Sequence, residues 1–236
     1  MPTHGKKYLD AAKLVDGMKA YSPDEAIELV KQTSFTKFDG TVEIHMNMGV
    51  DPRHADQMVR GVALMPAGTG KVVRVVAFAQ GDRAREAEAA GADEVGSDEL
   101  IKRIEDGWLG FDVAVATPDM MQKVSRLGRI LGPRGLMPNP RTGTVSPDLA
   151  RVIRDVRAGR VEFRVEKTSI IHAPIGKASF TNDQLKTNLS AFIDAVIKAK
   201  PTGARGTYIK SISLASTMGP GIKMDVPPTL ALASAA

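Results

Sequence analysis

The alternation of apolar and polar residues predicts two helices and one strand in the first third of the chain. Apolar positions within residues 6–19 fit one face of a short amphipathic helix. A second helix is expected from Ser22-Pro23-Asp24-Glu25, where the serine can cap the helix and the glutamate completes a capping box. Strict alternation from Thr41 to Met48 predicts a strand with one buried face and one polar face.

In the middle third, predicted strands alternate with predicted helices, which is typical of a parallel α/β unit. Apolar runs predict strands at 72–79, 94–95 and 113–116. The remaining periodicity predicts helices at 82–90, 98–105, 119–130 and 147–158. Residues 131–144 carry three glycines and three prolines and therefore predict a long surface loop, a feature that is usually functional in compact domains.

After Gly159 the α+β character of the first third returns, with strands expected at 161–167, 170–175 and 206–215 and a helix at 183–200. We infer an α+β discontinuous domain formed by residues 1–66 and 160–236. An inserted α/β domain, Rossmann-like and three-layered, is expected at 67–159. The tail, Val226–Ala236, is expected to be disordered because it consists mainly of prolines and small residues.

The charge of the chain is mildly basic and unevenly distributed. The formal net charge of +5 alone would also suit an ordinary soluble protein with a few extra lysines. Residues 160–236, however, hold 10 basic and 5 acidic side chains, and residues 120–147 hold five basic side chains and no acidic one. Such local excess suits a polyanionic partner, because each neutralised phosphate releases counterions.

Composition also excludes several classes of site. The 236 residues include no cysteine, which removes disulfides, thiolate metal sites and cysteine nucleophiles, and fits a reducing cytosol. No apolar run is long enough to span a membrane, and the first residues do not resemble a signal peptide. The sequence therefore predicts a cytoplasmic protein.

No motif for catalysis, a metal or a cofactor is complete. Gly68-Thr-Gly-Lys71 resembles a phosphate loop, but Met65 and Val72 stand where that loop needs a glycine and a serine or threonine. No dinucleotide-binding glycine motif or serine elbow is present. The four histidines do not have metal-ligand spacing, and His45 could simply be solvated. We therefore predict a binding protein without enzymatic activity, cofactor or metal.

Two polar clusters are candidates for RNA contacts. Lys37-Phe-Asp-Gly-Thr-Val-Glu43 places a cation and an aromatic residue before a strand with polar outward positions, and Thr217-Met-Gly-Pro220 ends another strand tightly. Hydroxyls, lysines and exposed backbone can contact the minor groove and 2′-hydroxyls of RNA. The alternative is that Phe38 belongs to the core and Thr217 only ends a strand.

Longer motifs carry a family resemblance that covers residues 6–224. They are Leu131-Gly-Pro-Arg-Gly-Leu-Met-Pro-Asn-Pro-Arg-Thr-Gly-Thr-Val145, Gly159-Arg-Val-Glu-Phe-Arg-Val-Glu-Lys167, His172-Ala-Pro-Ile-Gly-Lys177, Ser179-Phe180, Ser216-Thr-Met-Gly219, and Val59-Arg-Gly-Val62 leading to Gly70-Lys71. In this order they resemble the L-one family of bacterial large-subunit ribosomal proteins, which belongs to the mobile stalk beside the tRNA exit site.

The resemblance implies a protein that binds the large-subunit rRNA stalk, assists release of deacylated exit-site tRNA and represses its own operon mRNA. It also implies a ribosomal location in the cytoplasm, and a monomer is expected off the ribosome. The implied RNA-binding residues are Lys37, Phe38, Thr41, Glu43, Arg164, Lys167, Thr168, His172, Lys177, Ser179, Ser211, Thr217, Met218 and Gly219. Secondary phosphate contacts are expected from Arg129, Arg134 and Arg141, unless their loop only braces the α/β domain.

The sequence departs from the family pattern at three neighbouring positions. Val165 stands where asparagine is common, Glu166 where aspartate is common, and Ser169 where glycine is common. The change at Ser169 affects the expected turn between two strands.

Two other functional classes were weighed against RNA binding. A nucleotide-dependent enzyme would need a complete phosphate loop, and a DNA-binding regulator would need a helix-turn-helix or a dimeric basic helix. The sequence contains none of these motifs.

Overall fold

The structure, a computed structural model, describes residues 4–234, apart from the side chains of Ala55 and Ser234. Within this range the strands are β1 (Thr41–Met48), β2 (Arg60–Leu64), β3 (Val75–Phe78), β4 (Glu94–Gly96), β5 (Val113–Ala116), β6 (Arg160–Arg164), β7 (Ile170–Lys177), β8 (Ile209–Ser216) and β9 (Ile222–Met224). The helices are α1 (Lys6–Ala12), α2 (Pro23–Gln32), α3 (Asp82–Ala89), α4 (Asp98–Glu105), α5 (Met121–Val124), α6 (Gly128–Leu131), α7 (Leu149–Arg157), α8 (Asn182–Lys198) and α9 (Val226–Ser234).

Contacts between Cα atoms group these elements into two compact units. The first unit contains the N-terminal residues through Gly70 together with the residues from Gly159 onward, and the second contains Lys71–Ala158. The mixed α and β character expected from the sequence is confirmed. The second unit thus spans nearly the same residues as the inserted domain expected at 67–159.

The first unit is built on an antiparallel sheet with the strand order β7-β1-β8-β9. The central strand β1 pairs with β7 through Thr41 and Lys177, and with β8 through Val42 and Ser216. Its even positions, from Val42 to Met48, are fully buried, as the alternation predicts. They pack in one core with residues from α2, α8 and the two-stranded β2–β6 ribbon.

The start of helix α2, which packs against the core of the first unit, is determined by local sequence. The Ser22 hydroxyl accepts a hydrogen bond from the backbone of Glu25 at 3.4 Å, and the Glu25 carboxylate accepts one from the backbone of Ser22 at 3.3 Å. This is the predicted capping box. The helix then buries Ala26, Ile27 and Val30 in the core of the first unit.

A buried asparagine holds the chain where it leaves the first unit. The Asn188 amide donates to the backbone oxygens of Gly68 and Ile175 at 2.8 Å and 2.7 Å, and its oxygen accepts from the backbone of Ala67 at 3.0 Å. The returning chain passes close by, since a Cβ atom on Gly159 would lie 2.7 Å from the Gly68 Cα. Hydrogen bonds from Asn188 therefore hold residues 67–68 in place, and the lack of a side chain on Gly159 lets the returning chain approach Gly68.

The second unit has a parallel three-stranded sheet in the order β4-β3-β5. On one face, Val76 and Phe78 pack with α4, α5 and α6. On the other face, Val75 and Ala77 pack with α3 and α7. Helices on both faces explain why β3 is completely buried and why its sequence is continuously apolar.

Several predicted elements are shorter or less regular in the structure. Helix α1 ends at Ala12, before Gly17 and a turn in which the Asp16 backbone donates to the Tyr21 hydroxyl at 2.8 Å. Strand β3 starts at Val75, since its partner β5 has only four residues to pair with it. The predicted helix 119–130 is a series of short α and 3₁₀ turns.

The prediction of a disordered tail is wrong, and two short strands were missed. Residues Val226–Ser234 form α9, in which two prolines occupy the first turn, where their missing N–H groups leave no hydrogen bond unmade. The Leu232 carbonyl accepts a hydrogen bond from the Ser190 hydroxyl at 3.0 Å, and Leu230 packs against the core. The last two residues of that tail lie outside the described range. The missed strands are β2 and β9.

We expect Asn188→Ala to lower the free energy of unfolding by about 2–4 kcal/mol, since the buried Ile175 carbonyl and the part-buried backbone groups of Ala67 and Gly68 lose their partner. Urea unfolding measures the change. Thr187→Ala is the matched control, because this exposed neighbour bonds only within its own helix, to the Asp183 carbonyl. Equal losses in both variants would contradict the role assigned to Asn188.

Candidate RNA interface

One face of the four-stranded sheet carries mostly polar side chains. On β1 these are Thr41, Glu43, His45 and Asn47, all half-buried or exposed. The register brings Ile170, His172 and Pro174 of β7, and Ser211, Ser213 and Ala215 of β8, beside them. We call these ten residues the platform. Its length follows from β1, since eight residues of strand extend over about 25 Å.

Hydrogen bonds fix the first end of the platform, where β1 begins. The Lys177 ammonium donates to the Thr41 hydroxyl at 2.9 Å. The Thr217 hydroxyl accepts from the Thr41 backbone N–H at 2.8 Å and donates to the Thr41 carbonyl at 3.2 Å. Three segments that are far apart in sequence therefore meet here. An ammonium has three donors, so Lys177 keeps two for a ligand.

The segment before β1 is tied to the segment after β7. The Asp39 carboxylate accepts from the Ser179 backbone at 3.1 Å and from the Ser179 hydroxyl at 2.7 Å. The Gly40 carbonyl accepts from the Ala178 backbone at 2.8 Å. The Ser179 oxygen still has lone pairs, so this serine can accept a hydrogen bond from a ligand.

Two large apolar side chains stand exposed at this end. Phe38 is 62% exposed and Met218 is 69% exposed, so the alternative that Phe38 belongs to the core is wrong. Lys37 beside Phe38 is also exposed. Met218 has φ +66, and glycine fits the next position closely, because a Cβ atom on Gly219 would clash with the Ser216 hydroxyl as it is placed. The turn thus aims the Met218 side chain outward.

The second end of the platform lies at the end of β1, where Asn47 pairs with Ile170 of β7 and with Ser211 of β8. Lys167 and Thr168 are exposed in the turn before β7. The Ser169 carbonyl accepts from the Met48 backbone at 2.8 Å, which joins that turn to β1. Ser211 pairs with Asn47 in the same region. The candidate residues therefore form a strip along the sheet and do not surround one pocket.

Near the middle of the strip, His45 and His172 are paired across two strands, and Glu43 lies two residues before His45 on β1. His45 and His172 are opposite each other on β1 and β7, with their Nδ1 atoms 2.7 Å apart. Burial of the ring, and then the neighbouring His172, lower the pKa of His45 below its usual range, while Glu43 opposes them. His45 is therefore partly exposed, as a solvated side chain would be, but its ring also contacts His172.

The remaining candidates lie outside the platform. Arg164 is exposed on the β2–β6 ribbon, opposite Arg60, whose guanidinium is paired with Glu162. Arg129 and Arg134, together with Arg141, are exposed in the second unit. Arg129 lies in α6, whereas Arg134 and Arg141 lie in the segment after it. Within residues 4–234, no carboxylate forms a salt bridge with any of these three arginines, so their charge is available.

The structure does not favour the alternative of a nucleotide-dependent enzyme, because the lysine of the incomplete phosphate loop is already paired. Lys71 of the incomplete phosphate loop lies 2.8 Å from Asp112, and hydrogen bonds from Lys71 and Arg74 hold the pKa of the Asp112 carboxyl at about 2. That lysine is therefore occupied. Among the described side chains, no three His, Asp or Glu residues are placed to hold a metal ion. Within the same range, no helix has the length and apolar character to cross a bilayer.

Comparison with known proteins assigns the family. The profile described as the Ribosomal protein L1p/L10e family matches residues 30–220. The chain belongs to this family. It is also 57% identical over 225 residues to the large ribosomal subunit protein uL1 of Lactobacillus acidophilus, an alignment that covers 95% of this chain and 98% of the relative. The resemblance inferred from the sequence motifs is thereby confirmed.

Family membership also decides two broader predictions. Proteins of the L1p/L10e family are structural components of the ribosome, which confirms that the chain is not an enzyme and that it works on the ribosome in the cytoplasm.

The sequence reasoning missed several residues that share the platform. The sequence alone does not connect His45 to His172, and it does not indicate Ser213 of the platform or Lys223, which pairs with Ser213 from β9. The alternation along β1 indicates the outward face. Only the register between strands shows which outward residues of other strands lie beside it.

Ser169 has φ +62, in the left-handed region, at the position where the family pattern has glycine. We expect Ser169→Gly to raise the free energy of unfolding by about 0.5–1 kcal/mol, because glycine adopts this conformation without strain. Ser169→Ala is the control, because it removes the hydroxyl but keeps the strain. Thermal unfolding of both variants makes the comparison, and a gain in the alanine variant equal to that in the glycine variant would contradict the explanation.

Proposed function

We propose that this chain is a constituent of the large ribosomal subunit that binds ribosomal RNA through the platform and its two ends. The observation that carries the proposal is the first end, where the segments that hold exposed Phe38 and exposed Met218 are joined through the hydrogen bonds of Thr41. The family and the uL1 relative support the ribosomal setting.

The chemistry of the platform suits RNA better than a small ligand. RNA offers a wide, shallow minor groove lined by 2′-hydroxyls, which a flat row of hydroxyl, imidazole and carboxylate groups can contact. Glu43 supplies an acceptor for 2′-hydroxyl or base N–H donors, while Lys177 and Lys167 supply donors for phosphates. Apolar side chains such as Phe38 and Met218 can pack on unstacked bases.

We further propose that the two compact units are two domains with different roles. A discontinuous RNA-binding domain at 1–66 and 160–236 would carry the platform, with the inserted α/β domain at 67–159 adding phosphate contacts from Arg129, Arg134 and Arg141. Separate hydrophobic cores in the two units support this division. The exposed, unpaired guanidinium groups of Arg129, Arg134 and Arg141 support phosphate contacts rather than the alternative that this segment only braces the α/β unit.

The finer assignments extend the proposal to specific RNAs. The rRNA of the mobile stalk is the proposed main partner, and exit-site tRNA is a second partner on the ribosome. The mRNA of its own operon would bind to the platform in place of rRNA, since one surface holds one RNA at a time. Repression would then depend on how much free rRNA remains. The protein is proposed to act as a monomer off the ribosome.

We expect Phe38→Ala to weaken binding of a stalk rRNA fragment about 5- to 150-fold, because an aromatic side chain stacked on a base contributes about 1–3 kcal/mol. Met218→Ala should also weaken binding, because it removes apolar surface that packs on the RNA. Both side chains are largely exposed, so the melting temperature should hardly change. Filter binding or fluorescence anisotropy measures the affinity, and operon mRNA should show the same loss.

The control for these two variants is Ile197→Ala, which removes an exposed apolar side chain from α8, a helix that packs in the core of the first unit. Its RNA affinity should match that of the wild type. Unchanged affinity in both the Phe38 and Met218 variants would refute the proposed interface.

We expect replacement of Arg129, Arg134 and Arg141 by Ala to lower the salt dependence of binding by about two units, since each phosphate contact contributes roughly 0.7–0.9 to the slope. The preference for stalk RNA over unrelated RNA should barely change. A salt series with both RNAs provides the measurement. A slope equal to that of the wild type would favour the alternative that the loop only braces its own unit.

A further inference from the structure

The His45–His172 pair has a geometry that restricts its protons. The Nδ1 atoms are 2.7 Å apart, a normal hydrogen-bond length, and the rings meet at 65° with centroids 4.9 Å apart. One Nδ1 must carry the bridging proton and the other must accept it, because two N–H groups or two lone pairs would repel each other. The Nε2 atoms are left for other partners.

The number of protons decides what the pair offers to a ligand. In the neutral pair, the ring that donates the bridging proton has a bare Nε2, which can only accept. One additional proton on that Nε2 keeps the bridge and makes both Nε2 atoms donors. The pair then carries one positive charge. A further proton would have to enter the bridge and break it.

The surroundings indicate which ring takes the additional proton. His45 is half-buried, and its lowered pKa favours the neutral acceptor. The His172 side chain is 41% exposed, and its Nε2 lies 3.9 Å from the Glu166 carboxylate. The other charged groups nearby are Glu43, two positions from His45 on β1, and Lys223 on β9, beyond Ser213. Of these three groups, Glu166, Glu43 and Lys223, only Lys223 is positive.

We propose that the His45–His172 pair is an RNA-binding element that takes up one proton when RNA binds. The Nε2–H of His172 donates to an acceptor oxygen of the RNA, either a phosphate or a 2′-hydroxyl. His45 is a positioning residue, whose Nδ1 accepts the other N–H of His172 and holds the ring toward the ligand. The inference rests on the proposed function and adds a proton to the binding equilibrium.

The direction of the pH dependence follows from linkage. The bound state holds one proton more than the free state, so affinity rises as pH falls. The steepest change expected for one proton is about tenfold per pH unit, in the range near pH 6–8 where imidazole titrates. Affinity levels off at lower pH, once the free pair is already protonated.

The experiment measures the dissociation constant of the full chain for a stalk rRNA fragment from pH 5.5 to 8.5 at constant ionic strength. Calorimetry in two buffers with different ionisation enthalpies counts the protons directly. We expect the wild type to take up close to one proton between pH 7 and 8. Titrating groups of the RNA contribute equally to every variant, so differences between variants report on the protein.

Four variants separate the role of the pair from that of a simple surface group. His172→Asn places a side-chain amide near the position of Nδ1 but removes Nε2, so proton uptake should disappear. His45→Phe removes the acceptor and should also abolish it. His45→Asn places an amide oxygen near the Nδ1 position and should restore it. His54→Gln, which removes an exposed histidine paired only with Asp51, should retain full uptake.

The outcomes are distinguishable. Specific binding without proton uptake by the wild type, or uptake that persists in His172→Asn, would overturn the inference and leave the proposed function intact. No specific binding at any pH would refute the proposed function and the inference with it. His172 is exposed at an edge strand of the sheet, so its variant should fold even if His45→Phe does not.

Discussion

The pairing of β1 with both β7 and β8 is the interaction on which the candidate interface depends. The hydrogen bonds of Thr41 reach 136 residues along the chain to Lys177 and 176 residues to Thr217. All of the second unit lies between these partners in sequence. Loop-closure entropy grows only with the logarithm of loop length, so an inserted unit of this size adds little to the cost of that pairing. The strand pairing that forms the platform is therefore compatible with a long segment between its partners.

Features that depend on neighbouring residues were predictable from the sequence. The capping box of α2 and the two faces of β1 follow from spacings of three and two residues, and both are present in the structure. Which outward residues meet across strands depends on the register instead. The contact between His45 and His172 joins positions 127 residues apart, and no local pattern indicates it. The residues around Thr217 follow from a polar cluster in the sequence and His172 from a family motif, whereas neither indicates the role of His45.

Tertiary contacts explain where local propensity misled. Small residues and prolines in 226–234 suggested disorder, yet α9 is held by Leu230 in the core and by the Ser190 hydroxyl. Tertiary packing supplies most helix stability in proteins, so composition alone could not decide this segment. Phe38 shows the opposite case, because an aromatic residue before a strand is usually buried, but here it is exposed. Only the structure could distinguish an exposed anchor from a core residue.

The strain in the backbone is concentrated at the two ends of the platform. Among the described residues, Ser169 and Met218 are the non-glycine residues with positive φ, and each lies in the turn at one end. Such strain persists where surrounding contacts enforce it, and it tends to occur at functional sites. At Met218 a glycine would relieve the strain but would remove the exposed side chain. At Ser169 the side chain makes no comparable projection, since the residue is half-buried. At the first end the strained residue Met218 supplies an exposed side chain, whereas at the second end Ser169 is needed only to form the turn.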